Sequence, residues 1–174
     1  MRIEYFDNLV DYCVMDEIYR FSTDSSFRLG WKDGTDEKRT LNNLHSNWSF
    51  EDLKNSRLLP FVNTALKKSK NFNHLDEKKI YLTALNLVTP ADTFYIHTHT
   101  DTDTLIYYVN LHWEDGWEGE TMFYDKNNLD KIIFTTPFKP GRMVLFDGSI
   151  PHTIGAQSIS GPKYRFTVSI FFHK

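Results

Sequence analysis

Between Tyr95 and Thr104 the chain reads YIHTHTDTDT, two histidines and two aspartates interleaved with threonine. Imidazole nitrogen and carboxylate oxygen are donors that first-row divalent metals accept, so the stretch offers more ligands than one site needs. On an extended chain side chains alternate between faces, which sets His97, His99, Asp101 and Asp103 on one side. At most two of them need be ligands. Downstream, GRMVLFDGSIPHTI runs an apolar strand into a Gly-Ser-Ile-Pro turn and delivers His152. A strand end beside a turn is a rigid place for a ligand. His-x-Asp at 99–101 together with the remote His152 composes two imidazoles and a carboxylate, the facial set that suits Fe(II). Such a set occupies one face of an octahedron, leaves an overall positive charge, and keeps adjacent positions open for a bidentate cosubstrate and dioxygen. Alone, His152 would pass for a turn histidine satisfied by backbone. In this company it reads as the distal ligand.

The second chemical signal is a cation. In YRFTVSIFFH, Phe166, Val168, Ile170 and Phe172 share one face of a strand, while Arg165, Thr167 and Ser169 share the other. One face is core and the other a polar pocket. An arginine aimed into a pocket is costly unless an anion meets it, and a carboxylate ligand would do so bidentately. The plainer alternative is an exposed strand arginine, the commoner place for this residue.

These residues need a scaffold, and 174 residues suit a single domain around one core. Residues 1–78 carry the helical signals. After a short strand at RIEYF, Asp11 caps a helix through about Phe21, with Val14, Ile18 and Phe21 on one stripe. Ser49 with Asp52 begins a second helix, and Pro60 a third in PFVNTALKKSK. Over 79–174 the texture changes to short β-branched and aromatic runs broken by Pro, Gly, Asn and Asp. Strands are expected at KIYLTALNLV, TFYIHTH, TLIYYVNLHW, ETMFYD, KIIFTT, RMVLFD, HTIGAQ and YRFTVSIFFH, with EDGWEGE as a hairpin loop. The series implies a mainly β barrel or sandwich, with the N-terminal helices covering one sheet of a jelly roll.

Composition removes other classes. A net charge of -3 and a pI of about 6.1 lack the basic balance of a nucleic-acid binder. Cys13 is the single cysteine, so no internal disulfide can form, and a buried, reduced thiol is expected. MRIEYFDNLV has neither a basic nor an apolar leader segment, and no apolar run approaches membrane-spanning length, so the cytoplasm is the expected compartment.

From about Ile80 to Phe172 the chain resembles Fe(II)- and 2-oxoglutarate-dependent dioxygenases of the prolyl 4-hydroxylase-like group, through HTD, IYYVNLHWEDGWEGETMFY, PGRMVLFDGSIPH and YRFTVSIFF in that order. The resemblance implies a double-stranded β-helix, a jelly roll in which His99, Asp101 and His152 ligate iron. It assigns Arg165 to the distal carboxylate of 2-oxoglutarate, with the Tyr108 phenol and the Thr167 hydroxyl on the same group. His97 is then a strand neighbour in the outer shell of the metal. Fe(II), 2-oxoglutarate and O2 would be consumed or held to hydroxylate a C–H bond. Related halogenases replace the carboxylate ligand with a small residue to admit chloride, so the intact HTD implies hydroxylation. Many collagen-type members have lysine where this chain has Arg165, and SISGPK lengthens the interval from His152.

A peptidyl substrate is favoured by the same likeness, with proline first, though protein and small-molecule substrates fit the chemistry too. The group includes phage-encoded members, for which the compartment would be the host cytoplasm. Trp113 and Trp117 in LHWEDGW are candidate substrate contacts at the barrel mouth, unless they pack on the hairpin. The acidic EDGWEGE loop would favour a basic peptide. Two other classes stay open: a metal cupin using His97, His99 and His152 with a carboxylate near Asp103, and a jelly-roll binding module without catalysis. A cupin has no need of Arg165.

Overall fold

Ser49 and Asp52 show how local sequence sets an element here. In the computed structural model, which describes residues 2–30, 44–46, 48–92 and 94–174, the Ser49 side chain accepts from the Asp52 amide. The Asp52 carboxylate accepts from the Ser49 amide in return, and this reciprocal cap starts helix α2, Phe50–Asn55. Helix α3, Leu59–Lys68, has Pro60 in its first turn, where a missing N–H costs nothing. Helix α1, Tyr12–Asp24, starts after Asp11 as expected, but the Asp11 side chain makes no capping hydrogen bond, and the helix runs three residues past Phe21.

Its inner stripe is Val14, Ile18 and Ser22, so two expectations are corrected. Phe21 is exposed on the helix flank and packs on Trp48. Cys13, one residue before the stripe, points outward and is exposed. The 3.6-residue period fixes spacing only, and the packing of α1 chose Ser22 instead of Phe21 for the inner face.

The strands are β1 (Ile3–Phe6), β2 (Arg28–Leu29), β3 (Leu44–Ser46), β4 (Ile80–Val88), β5 (Thr102–Tyr108), β6 (Thr121–Asp125), β7 (Asn128–Thr136), β8 (Met143–Asp147), β9 (His152–Ile154) and β10 (Arg165–His173). They form an antiparallel sheet of seven in the order β1-β8-β5-β10-β4-β3-β2 and a smaller one, β7-β6-β9. Mainly β structure with helices on one side is the architecture expected. TFYIHTH differs: its Thr93 lies outside the described residues, and the rest is extended without regular pairing, apart from a bridge from His97 to His152. TLIYYVNLHW is a strand only as far as Tyr108, and HTIGAQ only as far as Ile154.

The large sheet is the middle layer. On β10, Phe166, Val168, Ile170 and Phe172 enter a core shared with Val14 and Ile18 of α1 and Val62 and Leu66 of α3. On β8, Met143 and Leu145 join that core, while Val144 and Phe146 face the other way. There they meet Phe123 of β6, Tyr108 and Phe138. Period-2 alternation thus divides one sheet between a helical layer and a small sheet, each buried apolar side chain contributing about 1.5–3 kcal/mol. Among the described residues no helix is long and apolar enough to cross a membrane.

Candidate metal centre

The chain from Tyr95 to Thr104 does not stay extended. Two backbone hydrogen bonds of 3.0 Å, between His97 N–H and His152 C=O and the reverse, set His97 opposite His152. His99 N–H then donates to the Gly148 carbonyl at 2.7 Å, and Gly148 N–H to the Thr102 carbonyl at 2.9 Å. Between these ties the chain turns at Thr100 and Asp101, with Asp101 in the left-handed region at φ 57°.

That turn reverses the phase of the alternation. His97 and His99 face the cleft between the sheets, but past the turn Thr104 and Ile106 do so. Asp103 joins the opposite face with Leu105 and Tyr107, where it is fully buried and meets Arg2 at 3.1 Å. A phase slip of one residue sends every later side chain to the other face. The shared face expected for His97, His99, Asp101 and Asp103 is therefore corrected. The carboxylate that a cupin site would need at Asp103 lies behind the sheet.

His97, His99 and His152 come together, their candidate donor atoms all within 4.8 Å of one another. Asp101 is exposed and outside the group. The His152 Nδ1 lies 2.8 Å from the Ile150 carbonyl, and the His97 Nδ1 lies 3.2 Å from the Tyr95 carbonyl. A carbonyl can only accept, so each Nδ1 donates there, and Nε2 is the ring atom with which such an imidazole would ligate a metal. Burial holds the His152 imidazole well below its usual pKa, helped by the neighbouring His97 and His99, so it is neutral, as a ligand must be. Phe123 and Phe146 pack beside the His152 ring, and Phe171 meets His99 edge-on.

Arg165 lines the same cleft with only 1% of its surface exposed. Its Nε donates to the Gly119 carbonyl at 3.0 Å, and its guanidinium lies over the rings of Phe138 and Tyr108. One terminal nitrogen, NH1, has no hydrogen-bond partner among the described residues. Burial pulls the Arg165 pKa down to about 10, against the opposing pull of Tyr108 and Glu120, so it is still a cation at neutral pH. Thr167 and Ser169 line the cleft beside it, as the strand parity requires.

Tyr108 is fully buried on the cleft-facing side of β5 with Thr104 and Ile106, its hydroxyl 2.7 Å from Oγ1 of Thr121, which lines the cleft. Trp113 stacks on Phe138 and donates to the Glu118 carbonyl, and Trp117 meets Trp113 edge-on. Neither indole lines the cleft; Trp113 walls an adjoining depression with Glu114, Asp115, Glu118 and Glu120. Sequence reasoning missed Thr121 and Asn86, the latter a cleft residue whose amide donates to Ser169 at 3.0 Å. A lone amide inside the apolar run KIYLTALNLV was the available signal for Asn86.

The family model of the 2OG-Fe(II) oxygenase superfamily matches residues 73–173, more than half of the chain. The chain belongs to that superfamily. This 2OG-Fe(II) oxygenase therefore works with Fe(II), 2-oxoglutarate and O2, and its residues fit them. The three imidazoles are donors for Fe(II), and the Arg165 nitrogen that has no partner among the described residues suits a carboxylate. The fold is shared with a prolyl hydroxylase from Trichoplax adhaerens solved with a hypoxia inducible factor peptide fragment, at TM-score 0.64 and 13% identity over 98% of this chain and 83% of that one. A prolyl-4-hydroxylase from Pseudomonas putida matches at TM-score 0.62 and 11% identity, covering 99% and 92%. The non-heme alpha-ketoglutarate-dependent epimerase SnoN of nogalamycin biosynthesis matches at 0.63 and 10%, covering 99% and 78%. No curated protein sequence matches the chain.

Proposed function

We propose that this oxygenase couples oxidative decarboxylation of 2-oxoglutarate to hydroxylation of a C–H bond on a peptidyl side chain, with proline the first candidate. The observation that carries the reading is the cleft itself, where a buried arginine, one of whose nitrogens has no partner among the described residues, lines the same space as His97, His99 and His152. One atom of O2 enters succinate and the other the new hydroxyl, with carbon dioxide released.

Bound iron would supply activation of dioxygen. The side chains do the placing. His99 and His152 are metal donors, joined by a further residue of the 97–101 stretch. Arg165 offers its free N–H to the distal carboxylate of 2-oxoglutarate, and Thr167 adds a hydroxyl on the same strand face. Thr121, held by the Tyr108 phenol, extends the polar wall, so Tyr108 acts on that wall through Thr121. Val88, Ile106, Ile154 and Phe171 exclude water from the cleft.

Two of the similar folds are prolyl hydroxylases, one holding a peptide, which favours a peptide over a small molecule. The depression walled by Trp113, Glu114, Asp115, Glu118 and Glu120 adjoins Arg165 through Gly119, and its charge favours a basic peptide. The test supplies Fe(II), 2-oxoglutarate and oxygen with a proline-containing peptide library graded in charge. Succinate release should rise with basic proline peptides, and those peptides should gain one oxygen atom. Turnover of 2-oxoglutarate that no peptide accelerates, with no peptide oxidised, sinks the peptidyl reading.

A further inference from the structure

An arginine side chain is long and jointed, so something must fix where its head stops. For Arg165 that support lies between the cleft and the outer depression. Arg165 lines the cleft, Trp113 and Phe138 line the depression, and Gly119 sits against both Trp113 and Arg165. Resting on the reading that Arg165 meets the distal carboxylate of 2-oxoglutarate, we propose that Gly119, Phe138 and Trp113 form a backstop that sets the depth of the Arg165 head, and that this depth selects 2-oxoglutarate over 2-oxo diacids one methylene shorter or longer. The three are positioning residues, which act on the cosubstrate through Arg165.

The contacts behind the guanidinium come in layers. Arg165 Nε donates to the Gly119 carbonyl at 3.0 Å, so the side chain is gripped just short of its terminal nitrogens. The central carbon of the guanidinium lies 4.9 Å from the centre of the Phe138 ring and 5.4 Å from that of Tyr108. Those two rings stack on each other at 4.5 Å and 8°, and Trp113 closes on Phe138 at 4.1 Å. The indole is itself tied down, its Nε1 donating to the Glu118 carbonyl at 3.0 Å. Attraction to aromatic faces holds a cation without occupying its terminal N–H groups.

Gly119 fills the remaining space. It is buried at φ 78°, in the left-handed region that glycine adopts freely, and a Cβ there would fall 3.3 Å from Trp113 Cζ2 and 3.4 Å from Arg165 Cδ and Nε. Backbone alone fits between indole and arginine. A methyl group added at Gly119 pushes the arginine head forward into the cleft, whereas a smaller side chain at Phe138 or Trp113 lets the head withdraw. The two kinds of change therefore err in opposite directions.

Depth translates into selectivity because the cosubstrate is held at both ends. Its 2-oxo acid end belongs at the metal and its distal carboxylate at Arg165, so the gap between them measures a chain length. One methylene alters that length by roughly 1 Å, a misplacement that can cost about 100-fold.

Anaerobic calorimetry on the iron-loaded protein gives the Kd of 2-oxoglutarate, oxaloacetate and 2-oxoadipate, with melting curves to confirm folding. The wild type should prefer 2-oxoglutarate to either homologue by about 10-fold to 200-fold, the range that one methylene commands. Phe138→Leu and Trp113→Leu should cut the preference over the longer 2-oxoadipate by at least about 5-fold and keep that over oxaloacetate, while Gly119→Ala should cut the preference over the shorter oxaloacetate instead. Should Gly119→Ala or Phe138→Leu fail to fold, Trp113→Leu decides, since the indole is only partly buried. A wild type that binds all three diacids alike, or variants whose affinities fall equally for all three, overturns the backstop. Arg165→Gln separates the two readings. If it binds 2-oxoglutarate as the wild type does, the anchor falls and the backstop with it; if it binds weakly while the other variants keep wild-type preferences, the backstop alone falls.

Discussion

A guanidinium with 1% of its surface exposed and one nitrogen that meets no partner among the described residues is a costly thing to build unless a ligand completes it. Arg165 meets that description, and the strand carrying it also supplies Thr167 and Ser169 to the cleft. Arg165→Gln should leave iron binding unchanged while weakening 2-oxoglutarate. Loss of a charge-assisted contact costs about 1.5–3 kcal/mol, hence roughly 10-fold to 150-fold in Kd. Anaerobic calorimetry on the iron-loaded protein measures this, and an unaltered Kd removes Arg165 from the cosubstrate site. The Tyr108 hydroxyl lies 2.7 Å from Thr121 Oγ1, which ties the phenol to the polar wall of the cleft.

At the scale of elements, the end of β8 governs the site. Gly148 touches the His99–Thr102 turn so closely that Gly148→Ala must displace backbone, because the nearest atoms include two carbonyl oxygens. Overpacking of this kind costs about 1–3 kcal/mol. Both the melting temperature and the iron affinity should fall, and a variant that melts lower yet binds iron as tightly shows that the turn does not position His99. Asp147, one residue earlier, accepts from the Ser149 amide at 2.9 Å, the Ser149 hydroxyl at 2.6 Å and Lys174 Nζ at 2.8 Å. Burial pushes its carboxyl up, but these donors prevail and bring its pKa to about 2, from an ordinary 3.8. The folded pKa is depressed, so Asp147 stabilises fully above pH of about 3.8, and the effect is lost as pH falls toward 2. The difference corresponds to about 2 kcal/mol. Urea unfolding of wild type and Asp147→Asn should show a gap in stability that is constant above pH of about 5 and narrows below 4; a gap independent of pH refutes it.

For the whole molecule, the layered arrangement separates stability from chemistry. The helices pack on the face of the large sheet away from the cleft, through Val14, Ile18, Val62 and Leu66. Leu66, 2% exposed on α3, can lose its side chain without touching a cleft residue. Leu66→Ala should cost about 2–5 kcal/mol, lowering the melting temperature by several degrees, while the folded protein binds 2-oxoglutarate as the wild type does. A parallel fall in cosubstrate affinity at a temperature where the variant is folded would mean that the helical layer shapes the cleft.

Local pattern determined much of this protein. The two faces of β10, the reciprocal cap of α2, the strand series after Lys79 and the delivery of His152 by its turn are all written in neighbouring residues, because period and turn chemistry act over a few positions. Phase between segments is not local. HTHTDTD alternates without a break in sequence, yet the left-handed Asp101, in a turn whose flanking His99 and Thr102 are both hydrogen-bonded to Gly148 just past β8, turns the alternation over between His99 and Asp103. These two hydrogen bonds to a distant segment accompany the placement of His97 with His99 and His152, of Asp101 in an exposed position, and of Asp103 buried on the other face of the sheet. The inner face of α1 was decided in the same way, since periodicity allows Phe21 and Ser22 alike and only packing against the sheet distinguishes them.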